Sequence, residues 1–143
     1  MRYDESLGRF LEAQAPVYEQ VCRELEAGRK TSHWMWFVFP QCRGLGRSAM
    51  ALHYGIESAD EARAYLAHPV LGIRLKHCSE LVLAVQGRTA LQIFGTPDDM
   101  KLHSSMTLFS QVGPAERVFG SVLDKYFAGV RDERTLSLLQ PAS

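Results

Sequence analysis

The chain has 143 residues, 46% hydrophobic and 22% charged, which predicts one folded domain, 1–143, with its own core and excludes extensive disorder. Sixteen basic residues balance sixteen acidic ones, so no global field draws the chain to nucleic acid or to an anionic membrane. Three cysteines (Cys22, Cys42, Cys78) show no CxxC spacing, no apolar run approaches the roughly 18 residues of a membrane span, and no basic-then-apolar leader opens the chain, so free thiols and a cytoplasmic location are the expectation.

The predicted elements are mostly helices. Asp4 is placed to cap the first, which carries Leu7, Phe10 and Leu11 on one side. Pro16 then opens a stretch with Val17, Val21 and Leu25 at helical spacing, and Gly28 stops it. The two pieces read equally as one kinked helix or as two. For His33–Pro40 periodicity does not decide between a buried extended segment and a short helix. Its aromatic and β-branched enrichment favours an extended Trp34–Phe39, with Trp34 and Trp36 on one face and Phe37 and Phe39 on the other. Residues 43–48 form a glycine-bearing turn, and a short helix runs from Ser48 to Tyr54 and stops at Gly55.

Ser58 and Glu61 have capping-box spacing, and the helix they open ends before His68-Pro69, a turn. Val70, Leu71, Leu75, Cys78, Leu81, Val82 and Val85 predict an amphipathic helix stopped by Gly87. Thr89 caps a short helix through Phe94. Thr96-Pro97-Asp98-Asp99 reads as a hydroxyl cap, a proline and two first-turn carboxylates, with Leu102, Met106 and Phe109 facing inward. Pro114 opens another helix, stopped by Gly129, and Asp132 caps the last. The fold class is therefore all-α, a compact irregular bundle of about seven or eight short helices.

Two segments concentrate polar and aromatic side chains. In the first, Lys30 and His33 precede Trp34 and Trp36, while Gln41, Gly44, Gly46, Arg47 and Ser48 follow. One reading makes the aromatics pure core. The other opens one face to a pocket in which an indole stacks on a flat ligand, while guanidinium groups and helix N–H groups at Ser48 take an anion. The glycines allow close backbone approach, yet the motif is neither a P-loop nor GxGxxG. In the second segment Asp98, Lys101 and Ser105 share a helix stripe, with Ser104 beside them. A first-turn carboxylate paired with Lys101 accounts for these residues without function. A lysine beside a serine also suits nucleophilic chemistry, although the order is the reverse of S-x-x-K. Histidines 33, 53, 68, 77 and 103 lack HxxxH and HExxH spacing, so no metal site is predicted.

The run Gly28–Gln41 with Gly44–Ser48, the run Glu61–Pro69 and the run Lys101–Phe109 resemble the bacterial family catalogued as domain of unknown function 1810, over nearly the whole chain. The resemblance implies a small, mainly helical domain and no established activity. Members often carry the label calpastatin, but this chain lacks the disordered, polar, repetitive composition of that inhibitor.

The functional expectation is a small-molecule site for a phosphate-bearing, nucleotide-like ligand. Lys30, Trp34, Trp36, Gln41, Gly44, Gly46, Arg47, Ser48, Ser104 and Ser105 would hold the ligand. For any chemistry, Asp98 or His33 would act as acid or base, and Lys101 or Arg47 would stabilise anionic charge. No cofactor is indicated. The competing expectation is a protein-interaction module or homodimer without catalytic activity.

Overall fold

In the computed structural model, residues 4–140 are described, and all regular elements among them are helices. The side chain of Asp4, the expected first cap, lies outside the described ones. α1 (Asp4–Gln14) and α2 (Tyr18–Glu26) are separate helices divided by a turn at 15–17. α3 (Met35–Val38) and α4 (Ala49–Tyr54) are short. α5 (Ala59–Ala67), α6 (Leu71–Ala84) and α7 (Ala90–Phe94) follow. α8 (Asp98–Val112), α9 (Arg117–Phe127) and α10 (Glu133–Leu139) complete the chain. Among the described residues there are ten helices where about seven or eight were expected; α3 forms where an extended segment was expected, and α1 and α2 are two helices rather than one kinked one.

α8 is the central element. It packs against α5, α7, α9 and α10, and the run from Ser104 to Phe109 is buried on every side. α6 packs against α2, α5 and α9. Phe10, Tyr65, Phe109 and Phe119 form a chain of ring contacts through the core, with centroids 5.0–5.8 Å apart. Such tilted and edge-on pairs add stability beyond the area they bury.

The local cap signals hold. Ser48, Ser58, Thr89 and Asp132 each accept a backbone N–H three residues on. His68, expected only as a turn residue, caps α6 by accepting from the N–H groups of Val70 and Leu71. Four details differ. α9 begins at Arg117 and not at Pro114, which lies in the preceding turn. Pro97 rather than Thr96 stands at the start of α8, without a side-chain cap. Val70 falls just before α6 and is exposed, not part of its inner face. Trp34–Phe39 is not extended: Val38 N–H donates to Trp34 and Phe39 N–H to Met35, closing a helical turn. The reason is backbone satisfaction. A buried extended segment needs a partner strand, and the one bridge among the described residues joins Cys42 to Ile56, outside this segment. A helical turn satisfies its own backbone.

Buried polar groups join the elements. Arg9 on α1 forms a two-pronged pair with Glu61 on α5 (3.2 and 3.4 Å) and donates to the carbonyls of Ser6, His53 and Gly55. Gln14 donates to Phe37 O at 2.7 Å and to Tyr65 Oη at 3.0 Å, fixing α3 against α1 and α5.

Glu24, 4% exposed on α2, is another of these groups. Its carboxylate accepts from Gln20, from the N–H groups of Thr31 and Ser32, from the Ser32 hydroxyl and from the Trp34 indole, at 2.5–3.0 Å. Burial is the largest single influence on its ionisation and opposes it. The hydrogen bonds from Ser32, Thr31, Gln20 and Trp34 together outweigh burial and hold the carboxyl down at about 2.

A carboxyl depressed in the folded state contributes stability above its unfolded value and loses it as pH falls toward the folded one. Glu24→Gln is therefore expected to cost about 3 kcal/mol at neutral pH. Urea unfolding from pH 6 to pH 2 should show the gap between variant and parent closing as the medium turns acid. A gap independent of pH would contradict the assignment.

Candidate functional site

The two polar segments of the sequence meet at one carboxylate. Asp98 opens α8, with Oδ2 2.8 Å from Lys30 Nζ and Oδ1 3.6 Å from Lys101 Nζ. Each ammonium also lies over an indole, Lys30 5.1 Å from the centroid of Trp34 and Lys101 4.8 Å from that of Trp36. The two lysines are not equivalent. The Lys30 side chain is 6% exposed and donates to Ser32 O, so it is a buried strut between loop and helix. Lys101 is more exposed, makes the longer contact to Asp98, and reaches a cleft.

The tryptophans divide in the same way. Trp34 is fully buried, its N–H donated to Glu24, and it offers no face to a ligand. Its assignment as a stacking residue gives way to a core role. Trp36 is half-buried, and its buried indole N–H has no partner among the described residues. The hollow beside it, lined by Trp36, Tyr54, Gln41 and Lys101, holds about 10 Å³. That is room for one water rather than a stacked ring.

The larger cleft begins on the other side of Gln41 and Lys101. It encloses about 300 Å³ between the 41–46 turn, α8 and the start of α10. Leu45, Pro97 and Met100 supply apolar surface, and Gln41, Lys101, His103, Ser104, Asp132 and Arg134 supply polar groups. A second hollow, lined by Gly44, Leu138, Leu45 and Arg134, continues from it. Gly44 adopts φ +106°, a conformation open to glycine and strained for other residues. Gly46 lies so close to α4 that an added Cβ would meet that of Ala51 at 2.8 Å.

The cleft wall is rigid. Asp132 Oδ2 caps α10 through the Thr135 N–H and accepts from the hydroxyls of Thr135 and Ser104. The Asp132 N–H donates to Thr107 Oγ1. His103 Nε2 donates to Val130 O at 2.7 Å, and the ring stacks on Phe127. The carbonyl can only accept, so Nε2 carries the proton and a neutral His103 keeps Nδ1 as an acceptor.

Of the residues expected from sequence, Gln41, Gly46, Lys101 and Ser104 line this cleft, Gly44 lines its extension, and Asp98 and Lys30 position Lys101 from behind. Asp98 has a lysine ammonium near each oxygen. His33 and Arg47 are exposed and line none of these hollows. The Ser48 hydroxyl accepts from the Ala51 N–H, and α4 is a six-residue helix, too short to make the expected anion site by itself. Ser105 points into the core, fully buried, and its hydroxyl has no partner among the described residues. Sequence reasoning missed His103, Asp132 and Arg134. Asp132 carried a cap signal, but nothing local showed that α10 folds back against α8.

Fold and site together define a small helical protein with an amphipathic cleft walled by its central helix. The chain belongs to the family described as protein of unknown function (DUF1810), whose model matches residues 4–139. It is similar to the conserved hypothetical protein Rv1873 from Mycobacterium tuberculosis, at 57% identity and a TM-score of 0.94, over 95% of this chain and 97% of that one. No curated protein matches the chain. Among the described residues no helix is long and apolar enough to cross a membrane, and no three His, Cys, Asp or Glu side chains converge as a metal-holding group.

The lysine asymmetry is measurable. Lys30→Met breaks the shorter, buried contact and should cost about 2 kcal/mol. Lys101→Met breaks a longer and more exposed one and should cost under about 1 kcal/mol. Equal losses in urea unfolding would contradict the division of labour.

Proposed function

We propose that the cleft between the 41–46 turn, α8 and α10 binds a small phosphate-bearing, nucleotide-like molecule. One observation carries this reading: an apolar surface of Leu45, Pro97 and Met100 shares one 300 Å³ space with the side chains of Lys101 and Arg134. That volume lies at the lower end of small-ligand pockets, and apolar walls with a few convergent polar groups are their usual composition. Lys101 suits the anion end. Asp98 pairs more closely with Lys30, which leaves the Lys101 ammonium under-neutralised at the cleft wall. The organic part of the ligand lies over Met100 and Leu45, and Gln41 and Ser104 select its polar edges. Binding is the supported role. Ser104 donates to Asp132, but that carboxylate is already engaged by the Thr135 N–H and hydroxyl as the cap of α10.

The competing role, docking of a protein or a second copy, is favoured by Met100, 65% exposed at the cleft, and Leu138, 50% exposed along its extension. Sedimentation at several concentrations separates the two: a concentration-independent monomer disfavours self-association.

The test is melting temperature and tryptophan fluorescence against inorganic phosphate, nucleoside mono- and diphosphates, dinucleotides and sugar phosphates. A ligand that binds only the folded state raises the melting temperature as its concentration exceeds the dissociation constant. Lys101→Gln and Arg134→Gln should each weaken the stabilising ligand about tenfold or more, the worth of one charge-assisted hydrogen bond. A flat response across the panel, or binding that survives both substitutions unchanged, would contradict the proposal.

A further inference from the structure

A second chemically distinctive cluster lies on the α2–α6 contact, built from residues the cleft does not use. Tyr18 and Cys22 stand one turn apart on α2, and Cys78 faces them from α6. Cys78 is fully buried, whereas Cys22 is half-buried and so within reach of a small solute. Across this contact Cys78 and Tyr18 are the neighbours that act most strongly on the Cys22 thiol, and exposed His77 adds a favourable charge interaction. Tyr18 is itself held in place. The Arg74 guanidinium lies 4.6 Å above its ring and reaches Gln14 Oε1.

We propose that Cys22 and Cys78 form a peroxide-oxidisable dithiol, with Cys22 the attacking sulfur and Cys78 the resolving one.

The electrostatics agree with that division. The hydrogen bond from Cys78 is the largest influence on Cys22. Burial opposes it, and the Tyr18 bond and His77 reinforce it against a smaller contrary effect of Glu26, leaving the thiol below its ordinary range. Cys78 is pushed up by its bond to Cys22 and by burial, and Tyr18 chiefly by burial, so both keep their protons and act as donors. Cys42 is the internal contrast: burial, then the charge of Asp132, raises it to about 11.

The chemistry balances with a hydroperoxide as oxidant. The Cys22 thiolate attacks one peroxide oxygen, the O–O bond breaks, and for hydrogen peroxide hydroxide leaves and becomes water on protonation. Cys22 is then a sulfenic acid. The Cys78 sulfur gives up its proton and attacks the Cys22 sulfur. An S–S bond forms, the S–O bond breaks, and a second water leaves. Two thiols are oxidised and one peroxide is reduced.

The experiment treats the folded full-length chain with hydrogen peroxide and reads intact mass and non-reduced peptide maps. The expected result is loss of two hydrogens and a Cys22–Cys78 link, reversed by dithiothreitol, with Cys42 still free. Iodoacetamide at neutral pH should modify Cys22 at least ten times faster than Cys42. In Cys78→Ser, oxidation should stop at a sulfenic acid on Cys22 that dimedone traps. Three titratable thiols after peroxide treatment, a stable Cys22 sulfenic acid in the parent chain, or a link through Cys42 would each overturn the proposal. The parent chain alone decides these outcomes, even if the serine variant fails to fold.

Discussion

The structure depends on a buried, ionised carboxylate held by hydrogen bonds. Glu24 sits buried in the last turn of α2, and five donors converge on it. Four of them come from the loop that follows α2, at residues 31, 32 and 34. An unpaired carboxylate in that position would be strongly destabilising. The loop is therefore not free to choose its path: it wraps the carboxylate, drops Trp34 into the core and leaves Lys30 beside α8. A single charge on α2 thus sets the height at which Lys30 meets Asp98, and so the placement of the whole cation–indole layer above the cleft.

From that layer outward the site grades from rigid to accessible. Lys30 and Trp34 are buried and fully engaged. Asp98 joins the inner lysine to the outer one. Lys101 and Trp36 are partly exposed, and beyond them the cleft opens toward Arg134. A second-layer ion pair behind a surface lysine restricts where its ammonium sits, which lowers the entropy lost when an anion is bound. Asp132 does the same for the opposite wall, by capping α10 and bonding to Ser104 on α8. The fold thus supplies two anchored walls and an apolar floor, while the Cys22 cluster lies on the separate α2–α6 contact.

The sequence made the helices legible wherever their signals are local. Ser58, Thr89 and Asp132 are read correctly because a cap and its N–H lie three residues apart, and the glycine stops work for the same reason. Trp34–Phe39 was misleading because strand-like composition says nothing about whether a partner strand exists. Polar density drew attention to Lys30, Gln41, Asp98 and Lys101, but it could not rank them. Whether Trp34 or Trp36 faces outward turns on Glu24, ten residues upstream of Trp34, and nothing in the spacing marks that link. Arg134 and His103 join the cleft only because α10 returns to α8, a long-range packing outcome that no local pattern encodes.

The organising role of Glu24 is tested most directly by amide and indole hydrogen exchange on the folded chain. The N–H groups of Thr31, Ser32 and the Trp34 indole should exchange slowly in the parent protein, with protection close to that of the core helices. In Glu24→Gln the same three should exchange far faster, while α8 and α9 retain their protection, since local opening no longer breaks bonds to a charged acceptor. Unchanged protection of these three groups in the variant would contradict the account and leave Glu24 as one helix residue among many.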